Sequence, residues 1–234
     1  MTIRAVIFDL YGTLVPEFPA EEFYATVDHM AVTLGAPVEA FREEWNRTAP
    51  LRQAGAFAAM DDNVRAIAVD LGMGEPTDEH LREALRPRAE MYARWFHPRP
   101  SAVETLTELK ARGFGTALIS MCAPDTPAMW HASPFSGLVD VEVFSSEVGL
   151  RKPDPAIYAY AYERLGVEPS ECLYCGDGAY GELTGAAALG MTAVEIRDPE
   201  VDIATMLHLE GDPWTGARIA DLRDLLTMVW QAPT

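Results

Sequence analysis

Lysine is almost missing from this chain: its 18 Lys and Arg residues include only Lys110 and Lys152. Lys152 sits in RKPDP, where Pro153 and Pro155 stiffen the loop that aims it. A chain that otherwise favours arginine keeps a compact ammonium there, where a wide guanidinium fork would not enter. Positive charge as a whole is scarce. The 36 Asp and Glu residues leave a formal net charge of -18, which repels phosphate backbones and anionic bilayers and excludes nucleic acid and membrane surfaces as expected partners. An anionic substrate must then be drawn in locally, by a metal ion, by one or two basic side chains or by helix N-termini.

Cysteine is equally sparse. Cys122, Cys172 and Cys175 make an odd number, which speaks against a disulfide framework and suits a reducing compartment. The C-x-x-C at 172–175 lies in a short apolar run that reads as a strand. Positions i and i+3 then face opposite sides, so neither zinc nor redox chemistry is expected of it. The histidines, His29, His80, His97, His131 and His208, are dispersed without ligand spacing and are assigned no metal. No window approaches the roughly 18 uninterrupted apolar residues of a membrane span, and the first residues carry no apolar targeting segment. A soluble cytoplasmic protein is expected, monomeric or homodimeric.

What the chain does hold begins at IRAVIFDLYGTLV, residues 3–15, where an apolar, β-branched run ends on Asp9. Continuous apolar runs are what parallel strands covered on both faces look like, and open α/β sheets bind ligands at the carboxyl ends of such strands. Asp9 is therefore expected at a reaction edge. A carboxylate buried there costs several kcal/mol unless a cation, backbone N–H donors or a raised pKa relieves it. Gly12 lets the backbone fold close to whatever binds.

Helical patterning follows over residues 21–34, 38–45, 57–71 and 77–96, with Gly35, Gly72 and Gly74 as punctuation and Pro87 expected to start or kink part of the fourth segment. From Pro98 the rhythm becomes helix and short strand in alternation. Ser101 is expected to cap a helix to Arg112; strands are read at 116–119, 139–144, 172–175 and 192–196, helices at 155–165 and 182–189, and a closing amphipathic helix at 219–230. The fold class is α/β, a doubly wound parallel sheet carrying an inserted all-helical block. Residues 1–15 and 98–234 form the core, and residues 16–97 a lid inserted after the first strand.

Four stations share the strand-end edge of such a sheet. The first has Asp9, Tyr11, Gly12 and Thr13; the second Ser120, Met121 and Cys122; the third Arg151 and Lys152; the fourth Gly176, Asp177, Gly178 and, further on, Glu182. Asp9 with Asp177, completed by water, is the mixed oxygen company that Mg²⁺ prefers. Glu182, at a helix entry, either ligates directly or through water, or caps its helix.

These stations, in this order, resemble the haloacid dehalogenase superfamily of aspartyl-nucleophile hydrolases: DLYGT is similar to its first motif, Ser120 to its second, RKPDP to its third and GDGAYGELTGA to its fourth. The inserted block resembles the family's helical cap on a Rossmann-like core. The resemblance implies Asp9 as nucleophile forming an aspartyl-phosphate, Ser120 and Lys152 binding phosphoryl oxygens, and Mg²⁺ held by Asp9, the Tyr11 carbonyl, Asp177 and Glu182. Thr13 and Met121 would border the substrate, a small anionic metabolite.

One position departs. Most phosphatases of this family have Asp where this chain has Tyr11, to protonate the leaving group and activate water. A phenol, with a pKa of about 10, is far from that task, which leaves about 10²- to 10⁴-fold of acid-base catalysis unassigned. The L-2-haloacid dehalogenase branch has Asp-x-Tyr-Gly-Thr here. It implies attack on carbon without metal, with Arg42 gripping the substrate. The acidic fourth motif favours metal and phosphate, because Asp177 and Glu182 without a cation would repel a carboxylate substrate. A catalytically weakened scaffold or binding protein on the same fold is the third reading. Glu22, Tyr24, Trp45 and Phe57 are the further candidates to line the cleft.

Overall fold

A computed structural model describes residues 2–199, 201, 205–207 and 211–229. Its centre is a six-stranded parallel sheet with the order β3-β2-β1-β4-β5-β6. The strands are β1 Ala5–Phe8, β2 Gly115–Ser120, β3 Val141–Phe144, β4 Cys172–Gly176, β5 Thr192–Ile196 and β6 Ala217–Ile219. Strand order reverses between β1 and β4, and crevices for ligands open at such a point, beyond the carboxyl ends of the strands. All of β1 is fully buried, as its unbroken apolar run requires.

Both faces of the sheet are covered. On one, Leu106 and Leu109 of α5 (Ala102–Ala111) and Leu225 of α10 (Asp224–Met228) pack on Val6, Phe8 and Leu118; on the other, Ile157 and Tyr158 of α8 (Pro155–Leu165) and Leu183 of α9 (Glu182–Ala188) pack on Ile7, Ile119 and Tyr174. Cys172 and Cys175 fall in the two opposite cores and are free thiols. The alternation of the strand separates them, as expected. Four helices, α1 Ala20–Leu34, α2 Val38–Gln53, α3 Met60–Asp70 and α4 Asp78–Trp95, intervene between β1 and α5 and share a core of their own around Phe23, Met30, Phe41 and Trp45. No helix among the described residues is long and apolar enough to cross a membrane.

Several local expectations are corrected. Helix α4 runs unbroken through Pro87, and α2 continues past Trp45 through Pro50 to Gln53. An interior proline costs about 3 kcal/mol, and the buried faces of these helices, with Leu81, Ala84, Met91 and Tyr92 in α4, outweigh it. Ser101 does precede α5, but its hydroxyl donates to Asp221 Oδ1 at 2.6 Å rather than accepting from the helix. The closing segment opens as an edge strand ending at Ile219 and is helical only over Asp224–Met228, with Trp230 outside the described residues. Two further helices, α6 Thr126–His131 and α7 Ser145–Val148, follow β2 and β3.

Candidate active site

The switch point between β1 and β4 brings the stations together. Asp9 N donates to Cys175 O at 2.9 Å, fixing the end of β1 against the end of β4 two residues before Asp177. Carboxylate oxygens of Asp9, Asp177 and Glu182 lie within 4.8 Å of one another. Two glycines make this possible. A Cβ at Gly12, whose φ is +73°, would collide with the Asp177 carboxylate, and one at Gly176 with that of Glu182.

Lys152 closes the group. Its Nζ donates to Asp9 Oδ1 at 2.5 Å and to Glu182 Oε2 at 2.6 Å, and its side chain is wholly buried. Glu182 also accepts from Tyr174 OH at 2.7 Å on Oε2 and from Gly178 N at 3.1 Å on Oε1. Its role in the structure is therefore to hold the lysine and the fourth-station loop, and both its oxygens are already hydrogen-bonded. Asp177 accepts from Ala179 N at 2.9 Å through Oδ1.

The electrostatics follow from burial. Removal from water, then the charge of Asp9, push Asp177 up to about 7 and Glu182 up to about 8. Burial alone would lower Lys152, but Asp9 and Glu182 outweigh it and its pKa is raised. Three carboxylates face one ammonium, so the cluster lacks positive charge. Hard oxygen donors this close, with room kept free by Gly12, suit a divalent cation such as Mg²⁺.

Two hydroxyls add to the fit. Thr13 Oγ1 and Ser120 Oγ are buried and accept or donate no hydrogen bond among the described residues, a costly state unless a ligand supplies one. Met121 lines the adjoining cavity, and its Sδ accepts from Lys152 N at 3.3 Å. Cys122 is buried there too, its thiol pushed up by desolvation, which leaves it inert.

Tyr11 is committed elsewhere. Its hydroxyl lies 2.9 Å from Thr126 Oγ1, and its ring packs among Phe18, Tyr92 and Phe96. Burial, then Tyr92, raise its pKa well above that of an ordinary phenol. A phenol so shifted is a poor match for acid-base work near neutral pH.

A cavity of about 400 Å³ lies between the sheet edge and the helical block, reaching from Asp9 and Asp177 to Tyr24, Trp45 and Arg52. Arg42 is not among its lining residues. It is paired through two nitrogens with Asp28 and lies over the Tyr24 ring, one layer behind the wall. Glu22 is likewise spent, on Arg94 and on Trp95 Nε1, and Phe57 is not at the wall. The arginines that do line the cavity are Arg52, Arg88 and Arg151.

Arg52 is the unusual one. Its Nη1 donates to Trp45 O, Thr48 Oγ1 and Asn63 Oδ1 at 2.8–2.9 Å, its guanidinium lies 4.0 Å over the Trp45 ring, and it forms no ion pair with any described residue. Burial, then repulsion from Arg88, bring it down to about 9. By contrast, Arg88 is neutralised by Asp125 at 3.0 Å. Sequence reading missed Arg52 because it ended the second helical segment at Trp45, whereas α2 runs on to Gln53. Glu17 was also missed. It borders the same cavity, and its Oε1 accepts from Phe18 N at 2.8 Å. Burial, then Asp177, raise its pKa well above the carboxylate range.

Comparison with known proteins gives the family and the fold. Residues 3–190 match the family model described as haloacid dehalogenase-like hydrolase. The chain is 29% identical to (S)-2-haloacid dehalogenase 4A of Burkholderia cepacia, over 88% of this chain and 90% of that protein. It is 28% identical to glyceraldehyde 3-phosphate phosphatase of Methanopyrus kandleri, over 83% of this chain and 84% of that protein. Among solved structures, a HAD phosphatase from Thermococcus onnurineus superposes with a TM-score of 0.67 at 22% identity, covering 97% of this chain and 98% of that one, which shows the shared fold.

Proposed function

The chain belongs to the haloacid dehalogenase-like hydrolases, and from that premise we propose that it is a Mg²⁺-dependent phosphatase of a small phosphorylated metabolite. The observation that carries this reading is the gathering of Asp9, Asp177 and Glu182 oxygens within 4.8 Å around a wholly buried Lys152. A dehalogenase attacking carbon has no use for such a concentration of negative charge, whereas phosphoryl transfer does once a cation is bound.

In this reading Asp9 attacks phosphorus and forms the aspartyl-phosphate, while Lys152 and the unpartnered hydroxyls of Ser120 and Thr13 hold the phosphoryl oxygens. Asp9, Asp177 and the Tyr11 carbonyl would hold Mg²⁺, with Glu182 acting through the lysine or through water. Bound there, the ion supplies charge neutralisation for phosphate and carboxylates together. The helices over residues 16–97 act as the cap, shutting water out of the cavity. Arg52, a buried cation without a carboxylate partner among the described residues, and Arg151, whose buried Nε has no partner, suit a small anionic substrate.

Tyr11 and the resemblance to (S)-2-haloacid dehalogenases favour a second reading, hydrolysis of a 2-haloacid with Asp9 attacking carbon. The grip assigned to Arg42 would then fall to Arg52, since Arg42 is spent on Asp28.

The test measures phosphate released from acetyl phosphate and from a sugar phosphate, with Mg²⁺ and with chelator, beside halide released from 2-chloropropionate. Metal-dependent phosphate release is expected. Metal-independent halide release would establish the dehalogenase instead, and silence on every substrate a scaffold.

A further inference from the structure

Hydrolysis of a phosphate ester must move two protons. The departing ester oxygen needs one, and the attacking water must lose one. Tyr11 stands where the resemblance places that duty, and its hydroxyl is bound to Thr126 and enclosed by aromatic rings. Among the described residues, the acidic side chains bordering the 400 Å³ cavity are Asp9, Asp177 and Glu17. With Asp9 as nucleophile and Asp177 at the cation, Glu17 is the carboxyl left over.

Its position suits proton traffic. Glu17 and Asp177 border both the main cavity and a second one of about 200 Å³, which also touches Gly12, Trp95, Arg99 and Asp198. Glu17 thus stands where the substrate cavity meets a space large enough for several waters. Among the described residues its carboxylate forms no ion pair, and its one hydrogen bond, from Phe18 N to Oε1, engages one oxygen and not the other. The ionisable groups around it are Asp9, Asp177, Tyr92 and Tyr180 on the cavity side and Arg99, Arg197 and Asp198 on the other. Glu17 lies six positions after Tyr11, on the segment that leads from β1 into α1.

We propose that Glu17 is the proton-transferring residue of this hydrolase, filling the task that Tyr11 leaves open; the proposal rests on the phosphoryl-transfer reading above. In the first step Asp9 bonds to phosphorus, the ester P–O bond breaks, and the departing oxygen takes the proton of the Glu17 carboxyl. In the second, the Glu17 carboxylate takes a proton from water as the water oxygen bonds to phosphorus. The Asp9–phosphorus bond then breaks, freeing inorganic phosphate and restoring the Asp9 carboxylate and the protonated Glu17 carboxyl.

The experiment compares wild type with Glu17→Gln at saturating Mg²⁺, following release of the leaving group through the first and later turnovers. Glycerol phosphate leaves as an alkoxide and needs the proton; acetyl phosphate leaves as acetate and does not. Glu17→Gln is expected to slow the glycerol phosphate step by about 10²- to 10³-fold. With acetyl phosphate the acetate burst keeps its wild-type rate and is followed by slow turnover, because the second step lacks its base. Equal slowing of the first step on both substrates, or slowing on neither, overturns the proposal. Glu17→Ala supplies a second variant, whose glycerol phosphate rate is expected to rise with added formate. A folded Ala variant indifferent to formate counts against it. A wild type that releases no phosphate from either substrate overturns the phosphoryl reading itself, a result distinguishable from failure at Glu17 alone.

Discussion

Glu182 holds Lys152 from behind: its Oε2 lies 2.6 Å from the lysine Nζ, and neither side chain has any exposure. The same ammonium reaches Asp9 at 2.5 Å. Lys152 is therefore the counter-charge that holds the Asp9 carboxylate in place, and in the proposed function it also meets the substrate.

Replacing that ammonium separates charge from shape. Lys152→Arg keeps the charge, but the guanidinium fork has no room in a wholly buried slot. Activity is expected to fall at least 100-fold, with normal kinetics contradicting the argument. Lys152→Met removes the charge and leaves buried carboxylates unpaired, a loss on the order of 3–5 kcal/mol by urea unfolding of the metal-free protein at neutral pH.

The carboxylates also set a pH dependence. Asp177 and Glu182 titrate at about 7 and about 8 in the folded chain, above their ordinary values of 3.8 and 4.5. The folded state thus binds more protons than the unfolded one. Their contribution to stability is fully present below about pH 4 and is lost as pH rises through 7–8. Denaturant midpoints of the chelated protein should fall from pH 5.5 to pH 8, and Asp177→Asn should flatten that slope. Added Mg²⁺ should raise the melting temperature more at pH 8 than at pH 5.5.

Gly12 offers a purely steric test. An alanine there would carry its Cβ into the Asp177 carboxylate from a left-handed backbone. Gly12→Ala is expected to weaken Mg²⁺ binding at least tenfold by calorimetry. Retention of wild-type affinity would mean Asp177 does not hold the ion.

Much of this was legible because buried parallel strands leave an unbroken apolar signature, so β1, β4 and β5 and the residues just past them could be found without any helix being placed accurately. The Asp9, Asp177 and Lys152 meeting follows from that edge alone. The helical block was harder. The second segment was ended at Trp45, so the last two turns of α2 and Arg52 were lost, and Arg42 was chosen for a grip that its pairing with Asp28 forecloses. Strand β6 escaped because two of its three residues are exposed at an edge. Glu17 lies on a proline-bounded loop with no period, where no pattern reports which way a side chain turns.

Asp9→Asn should abolish turnover while leaving the fold intact, which isolates the nucleophile but not what it attacks. The direct measurement is an acid quench during turnover with labelled substrate, followed by mass spectrometry of the peptide containing Asp9. The account predicts phosphate on Asp9 in the presence of Mg²⁺ and none with chelator. A carbon ester on Asp9 formed from a 2-haloacid without metal would contradict it.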